Sequence, residues 1–137
     1  MFKFKPLAAA ILAIASTHAM AANNTADQWQ YGNDNSASVD QTVAAQSNYA
    51  SQSQSGNLNA AAVTQGNATS NSAYQSQNGN SNNAVANQQQ ALGNTTAQYQ
   101  SGDSNSAYSS QSYAENNSSY QAQSGSGNYA TTDQSSQ

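Results

Sequence analysis

The chain has no cysteine, a single proline at Pro6 and, once residues 1–21 are set aside, no lysine, arginine or histidine. Each absence removes a class of explanation. Without cysteine an exported chain has no disulfides to staple it, even in a compartment that would permit them. Without a base there is nothing to meet a phosphate backbone, so a nucleic-acid partner is excluded. Without His, Cys or Lys the body has no nucleophile and base to pair and no soft ligands for a metal cage, so no enzymatic activity, catalytic residue, cofactor or metal is expected. Large aliphatic side chains are almost as scarce: from Ala22 onward they are Val39, Val43, Val63, Val85, Leu58 and Leu92. A conventional hydrophobic core is therefore ruled out. What the body does contain is Asn, Gln and Ser, which make up 60 of its 116 residues. That bias fits either a disordered chain or a repetitive β structure held by polar ladders.

Residues 1–21 are a different kind of sequence. Lys3 and Lys5 form a basic start, Leu7 to Ala15 an apolar run, and Ala19-Met20-Ala21 a small-x-small site. This reads as a secretory signal peptide, cut before Ala22. The apolar run is well short of the ~20 residues that span a bilayer, so a membrane anchor is not expected.

A fixed period runs through residues 22–137. Aligning on Gln-x-Gly places Gly32, Gly56, Gly79, Gly102 and Gly125 in one column, 24, 23, 23 and 23 residues apart. The full pattern is N-x5-Q-x-G-x2-N-x-A-x3-Q, and its copies run 24–41, 48–65, 71–88, 94–111 and 117–134 with every fixed position matched. Five of the eight glycines in one column is not an accident of composition.

Each copy splits into two seven-residue halves joined by a Gly-containing arc, and within each half the shared residues recur every second position. That is the period of a strand with one inward face. In the first copy the inward set is Asn24, Ala26, Gln28 and Gln30, facing Asn35, Ala37, Val39 and Gln41. Two strands per copy, at constant length, can stack as solenoid rungs about 4.8 Å apart, with each residue over its equivalent. The expected fold is all-β: a cross-β solenoid of five strand-arc-strand repeats forming two parallel, in-register sheets. Its columns are Asn24, Asn48, Asn71, Asn94 and Asn117; Gln30, Gln54, Gln77, Gln100 and Gln123; Asn35, Asn59, Asn82, Asn105 and Asn128; Ala37, Ala61, Ala84, Ala107 and Ala130; and Gln41, Gln65, Gln88, Gln111 and Gln134. Stacked amides can donate from one side chain to the carbonyl of the next, so buried Asn and Gln satisfy one another. The Ala column lets the two sheets approach. The neighbouring column, Val39, Val63, Ala86, Ser109 and Thr132, grows more polar along the chain, so the first two rungs are expected to be the more stable. All eight glycines are expected in arcs or inter-copy loops, outside the strands.

The outward residues carry weaker signals. Asp34 and Asp103 in the arcs suggest calcium ligands only superficially, because the G-G-x-G-x-D nonapeptide is absent and Asp is common in solvated turns. Trp29 and Tyr99 share one outward column and Tyr74 and Tyr120 another, while Tyr31, Tyr49, Tyr108 and Tyr129 sit singly. They fit either a sticky face or simple β propensity and cross-rung packing.

With these residues in view, the pattern resembles the curlin repeat, usually written S-x5-Q-x-G-x2-N-x-A-x3-Q, in five consecutive copies from Asn24 to Gln134. The resemblance implies a signal peptide at 1–21 and a curlin-like repeat domain at 22–137. It implies a secreted subunit of curli, the extracellular amyloid fibres of bacterial adhesion, aggregation and biofilm matrix. Its partners would be further copies of itself, a nucleator curlin, and the outer-membrane secretion pore with its accessory factors. The sequence departs from the family in three ways. Asn replaces the leading Ser in every copy. Positions often aliphatic are Ala26, Ala50, Ala73, Thr96 and Ser119, then Gln28, Gln52, Gln75, Gln98 and Gln121. Only Ala22 and Asn23 stand between the expected cleavage site and the first copy, where curlins commonly carry an export-targeting segment.

Nothing in the repeats blunts the two sheet edges with Pro or Lys, so copy five is expected to template copy one of the next molecule. Three other readings stay open: a minor, nucleating curlin; a soluble solenoid that binds ice or another surface, which would want capped ends and a regular outward array; and a disordered polar coat, which leaves the period unexplained.

Overall fold

The computed structural model describes residues 23–42 and 44–135; the expected signal peptide and its cleavage site lie outside them. Among these residues ten strands follow one another. They are β1 Thr25–Tyr31, β2 Ser36–Asp40, β3 Tyr49–Asn57, β4 Ala60–Gly66, β5 Ser72–Asn80, β6 Asn83–Gln89, β7 Thr95–Ser101, β8 Ser106–Ser112, β9 Ser118–Ser124 and β10 Tyr129–Ser135. Odd strands form one sheet in the order β1-β3-β5-β7-β9, and even strands the other in the order β2-β4-β6-β8-β10. Every pairing is parallel. The protein is an all-β solenoid of about five turns, one per copy of the repeat.

Register follows the repeat residue for residue: Gln30 pairs with Gln54, Gln54 with Gln77, Gln77 with Gln100 and Gln100 with Gln123. A slip by one would turn every amide outward, so the period-2 pattern itself fixes the stacking. Burial alternates as the pattern requires, most cleanly in β8 and β9. One irregularity has a visible cause. The first copy is followed by one residue more than the others, between Gln41 and Asn48, and β2 ends early at Asp40.

One expectation needs correction. Gly56 and Gly79 lie inside β3 and β5 and Gly66 ends β4, because the ladder continues into the arc, or for Gly66 toward the inter-copy loop, instead of stopping before it. The inter-copy loops, for which the repeat pattern predicts nothing beyond their glycines, are also stacked. Gln46, Thr69, Leu92 and Glu115 bridge one another in parallel, over buried Ala45, Ala68, Ala91 and Ala114.

The interior has two textures. Ala50, Val63, Ala73 and Ala86 form a small apolar cluster against which Val39 packs. In the last two copies hydroxyls replace it: the Thr96 hydroxyl donates to Gln111 Oε1 at 2.9 Å and Ser109 Oγ to Ser119 Oγ at 3.1 Å. No buried side-chain polar atom among the described residues lacks a partner.

Candidate assembly interface

The site is the set of ladders together with the two ends where they stop. Three glutamine ladders run the full length of the described solenoid. Gln30 Nε2 donates to Gln54 Oε1, and so on through Gln77 and Gln100 to Gln123, at 2.8–2.9 Å. Gln41, Gln65, Gln88, Gln111 and Gln134 do the same. So do Gln28, Gln52, Gln75, Gln98 and Gln121. In every ladder the earlier copy donates to the later one, so each ladder has a direction.

A primary amide has two hydrogens, and the second one ties the sheets together. Gln54 Nε2 also donates to Ser36 O at 2.8 Å, Gln77 Nε2 to Ala60 O at 2.8 Å, and Gln100 Nε2 to Asn83 O at 2.9 Å, each reaching across the interior to the opposite sheet. Sequence reasoning anticipated the ladder and missed this crossing. The signal was present in the amide's donor count: a single ladder uses only one of the two hydrogens.

The two asparagine columns are corner devices more than side-chain ladders. Asn35, Asn59, Asn82 and Asn105 each donate through Nδ2 to the carbonyl of the next copy's arc glycine: Gly56, Gly79, Gly102 and Gly125, at 2.7–2.9 Å. That carbonyl occupies the space a side chain would need. A Cβ on Gly79 would stand 2.0 Å from Gly102 O, and φ there is +127°. The fixed Gly and fixed Asn of the repeat are thus one arrangement. The leading asparagines form no amide-to-amide ladder. Asn48 Nδ2 instead holds the loop carbonyl of Ala68 at 2.7 Å, while its Oδ1 accepts from the backbone N–H of Asn71 at 2.9 Å. Asn24, Asn71 and Asn94 hold Ala45, Ala91 and Ala114 in the same way, and Asn117 takes part through its backbone N–H. The Ala columns lie where expected: Ala37, Ala61, Ala84 and Ala107 are buried, and Ala130 on the terminal strand is half-buried.

The ends are unlike each other. At the first copy no donor among the described residues reaches Oε1 of Gln28, Gln30 or Gln41, and no asparagine amide among them holds the Gly32 carbonyl. At the fifth, Gln123 and Gln134 use Nε2 only across the interior, on Ser106 O and Ser118 O. Asn128 Nδ2 donates back to Asn105 Oδ1, as Asn59 and Asn82 do to their predecessors, and to Ser124 O, and among the described residues it holds no glycine carbonyl. One end therefore offers acceptors and the other donors in two matching columns, Gln30 with Gln123 and Gln41 with Gln134, whereas Gln121 Nε2 is already held by Tyr108 O and Thr132 Oγ1. Both ends also carry unpaired strand edges: β1 and β2 at one, β9 and β10 at the other.

The remaining candidates are dispersed. Asp103 Oδ1 accepts from the backbone N–H and the side chain of Asn80, both at 2.9 Å. Asp34 lies in a different arc position three copies away, and no group of three or more potential metal-ligating residues occurs among the described residues. No helix there is long and apolar enough to cross a membrane. Of the aromatics, Trp29, Tyr31, Tyr49, Tyr74, Tyr99 and Tyr120 all point out from the odd-strand sheet. Column neighbours of the same kind do not touch; the contacts are diagonal. Tyr49, expected to sit alone, packs on Tyr74 with ring centroids 5.4 Å apart, and Tyr99 packs on Tyr120 at 5.6 Å. No protein-family model matches the chain, and no curated protein sequence matches it.

Proposed function

We propose that this chain is the structural subunit of an extracellular functional amyloid of the curli kind, exported and then polymerised head to tail by extending its own ladders. The observation that carries the reading is the complementarity of the two ends: two columns stop on an unmatched acceptor at Gln30 and Gln41 of copy one, and the same columns end on an unused amide hydrogen at Gln123 and Gln134 of copy five. An interface that is self-complementary but heterologous does not close on itself; it propagates as a filament. Strand edges left open at both ends favour the same outcome. The curlin-like pattern and the signal-like leader supply the rest of the proposal: export through a dedicated pore, a nucleating partner, and a role in adhesion and biofilm matrix.

The test is to release residues 22–137 from denaturant and follow thioflavin fluorescence with and without preformed seeds, then take fibre diffraction from the product. A lag abolished by seeding, with reflections near ~4.7 Å and ~10 Å, is the expected result. A chain that stays monomeric at high concentration sinks the proposal.

A further inference from the structure

On the outer face of the odd-strand sheet, Tyr49 of β3 lies between Asp27 of β1 and Tyr74 of β5. Its hydroxyl donates to Asp27 Oδ2 at 3.0 Å, and its ring meets that of Tyr74 at 5.4 Å with the planes tilted by 48°. Tyr74 is 39% exposed. We infer that this trio is an oxidative modification site, at which a one-electron oxidant such as hydrogen peroxide with a haem peroxidase joins Tyr49 to Tyr74 as dityrosine and bolts β3 to β5 covalently.

The chemistry needs three things, and the site has each. A phenol losing an electron becomes strongly acidic and must lose its proton at once. Asp27 already accepts that hydrogen bond, so the proton moves along an existing contact. The Tyr49 phenol is held above its ordinary value: a hydrogen bond with Ser51 works against the shift, but the Asp27 hydrogen bond, burial and the Asp27 charge outweigh it. A thiolate that would intercept the radical does not exist in this chain. Two radicals must then meet, and the rings are already in contact range. Each ring gives one electron to the oxidant and one phenolic proton, Tyr49 to Asp27 and Tyr74 to solvent. A carbon–carbon bond forms between ring positions ortho to the hydroxyls, and the two displaced ring hydrogens return to the oxygens. One peroxide takes up the two electrons and two protons and leaves as two waters.

Tyr99 and Tyr120 are nearly as close, at 5.6 Å, but among the described residues no carboxylate accepts from either hydroxyl. They serve as an internal control for proximity without a proton acceptor. The inference rests on the fold within one molecule and stands whether or not the chain polymerises.

The experiment is to oxidise the native chain with peroxidase at limiting peroxide, digest it with thermolysin, and map dityrosine peptides by mass spectrometry, with a parallel sample in denaturant. In the native chain the Tyr49–Tyr74 link should dominate and Tyr99–Tyr120 come second, whereas in denaturant links should spread over all tyrosines. Asp27→Asn should lower the Tyr49–Tyr74 yield several-fold and leave Tyr99–Tyr120 unchanged, and Tyr49→Phe should remove the first link while the second reports that the fold persists. A native distribution equal to the denatured one would overturn the inference, as would Asp27→Asn lowering both links alike or neither.

Discussion

At the scale of single residues, the stacked arrangement makes the same substitution mean different things in different copies. Gly79→Ala would drive a methyl into Gly102 O inside the molecule, a backbone clash that neighbours cannot relieve. Loss of the fold is the expected outcome, at about 4 kcal/mol or more. Gly125 is the last of its column, and the nearest atom to an added Cβ is Asn128 Nδ2 at 3.5 Å. Gly125→Ala therefore meets only the strain of its φ of +104°, about 1–3 kcal/mol, and should keep the β-sheet circular dichroism of the parent. In a growing fibre, however, that methyl would land on Gly32 O of the next molecule. Such chains should add once to the copy-five end of a wild-type seed and then stop it. Elongation at the wild-type rate in a seeded assay would refute head-to-tail stacking. The same reasoning applies to the amides. Gln77→Leu strands Gln54 Nε2 and Gln100 Oε1 in the interior, where each lost partner costs about 1–3 kcal/mol. Gln123→Leu strands only one of its neighbours. The urea midpoint should fall roughly twice as far for the first as for the second.

At the scale of elements, the interior changes character along the chain. Val63 is fully buried in the apolar cluster, and Val63→Ala should cost about 2 kcal/mol, counting lost transfer and the cavity left behind. The later copies rely on Thr96, Ser109 and Ser119, and β10 is covered on one side only, with no inward residue fully buried. Hydrogen exchange should therefore be slowest in β4 and β6 and fastest in β10; uniform protection would mean that the hydroxyl chain holds as well as the Val and Ala cluster. Most of this architecture was legible in the sequence. In-register stacking forces equivalent residues together, so a repeat of period 23 with period-2 halves specifies strands, columns and inward faces at once. Three features were not legible, each for a physical reason. The crossing of a second amide hydrogen to the opposite sheet depends on the distance between sheets, which no column states. The corners place Leu58, Gln90 and Tyr113 at φ of +57°, +49° and +53°, where turn chemistry predicts Gly or Asn, because stacking imposes one backbone path on every copy. The tyrosine contacts are diagonal, set by the reach of a long side chain rather than by its position in a column.

At the scale of the whole molecule, direction is the property that matters. The three glutamine ladders donate from earlier copy to later copy and give a particle with one accepting and one donating end, and two like ends cannot satisfy each other's glutamine amides. The charges sit on the same axis. From Ala22 onward the chain has six acids and no base, so in the proposed fibre every added subunit would bring repulsion with it. Register puts the sharpest instance at the junction. Asp40 pairs with Thr64, Thr64 with Asn87, Asn87 with Ser110 and Ser110 with Asp133. Within the molecule three neutral residues separate the two acids. Across a head-to-tail junction they become adjacent at about 4.8 Å, the strand spacing, where like charges in a water-like dielectric repel by on the order of 1 kcal/mol. Asp133→Asn removes that repulsion and converts the contact into one that an amide can join. It should lower the critical concentration for assembly several-fold and flatten its dependence on salt, since screening already weakens the wild-type repulsion. Asp103→Asn removes a charge from an arc, away from this column, and should change the salt dependence much less. If both variants shift assembly equally, net charge governs the fibre and the Asp40–Asp133 junction does not.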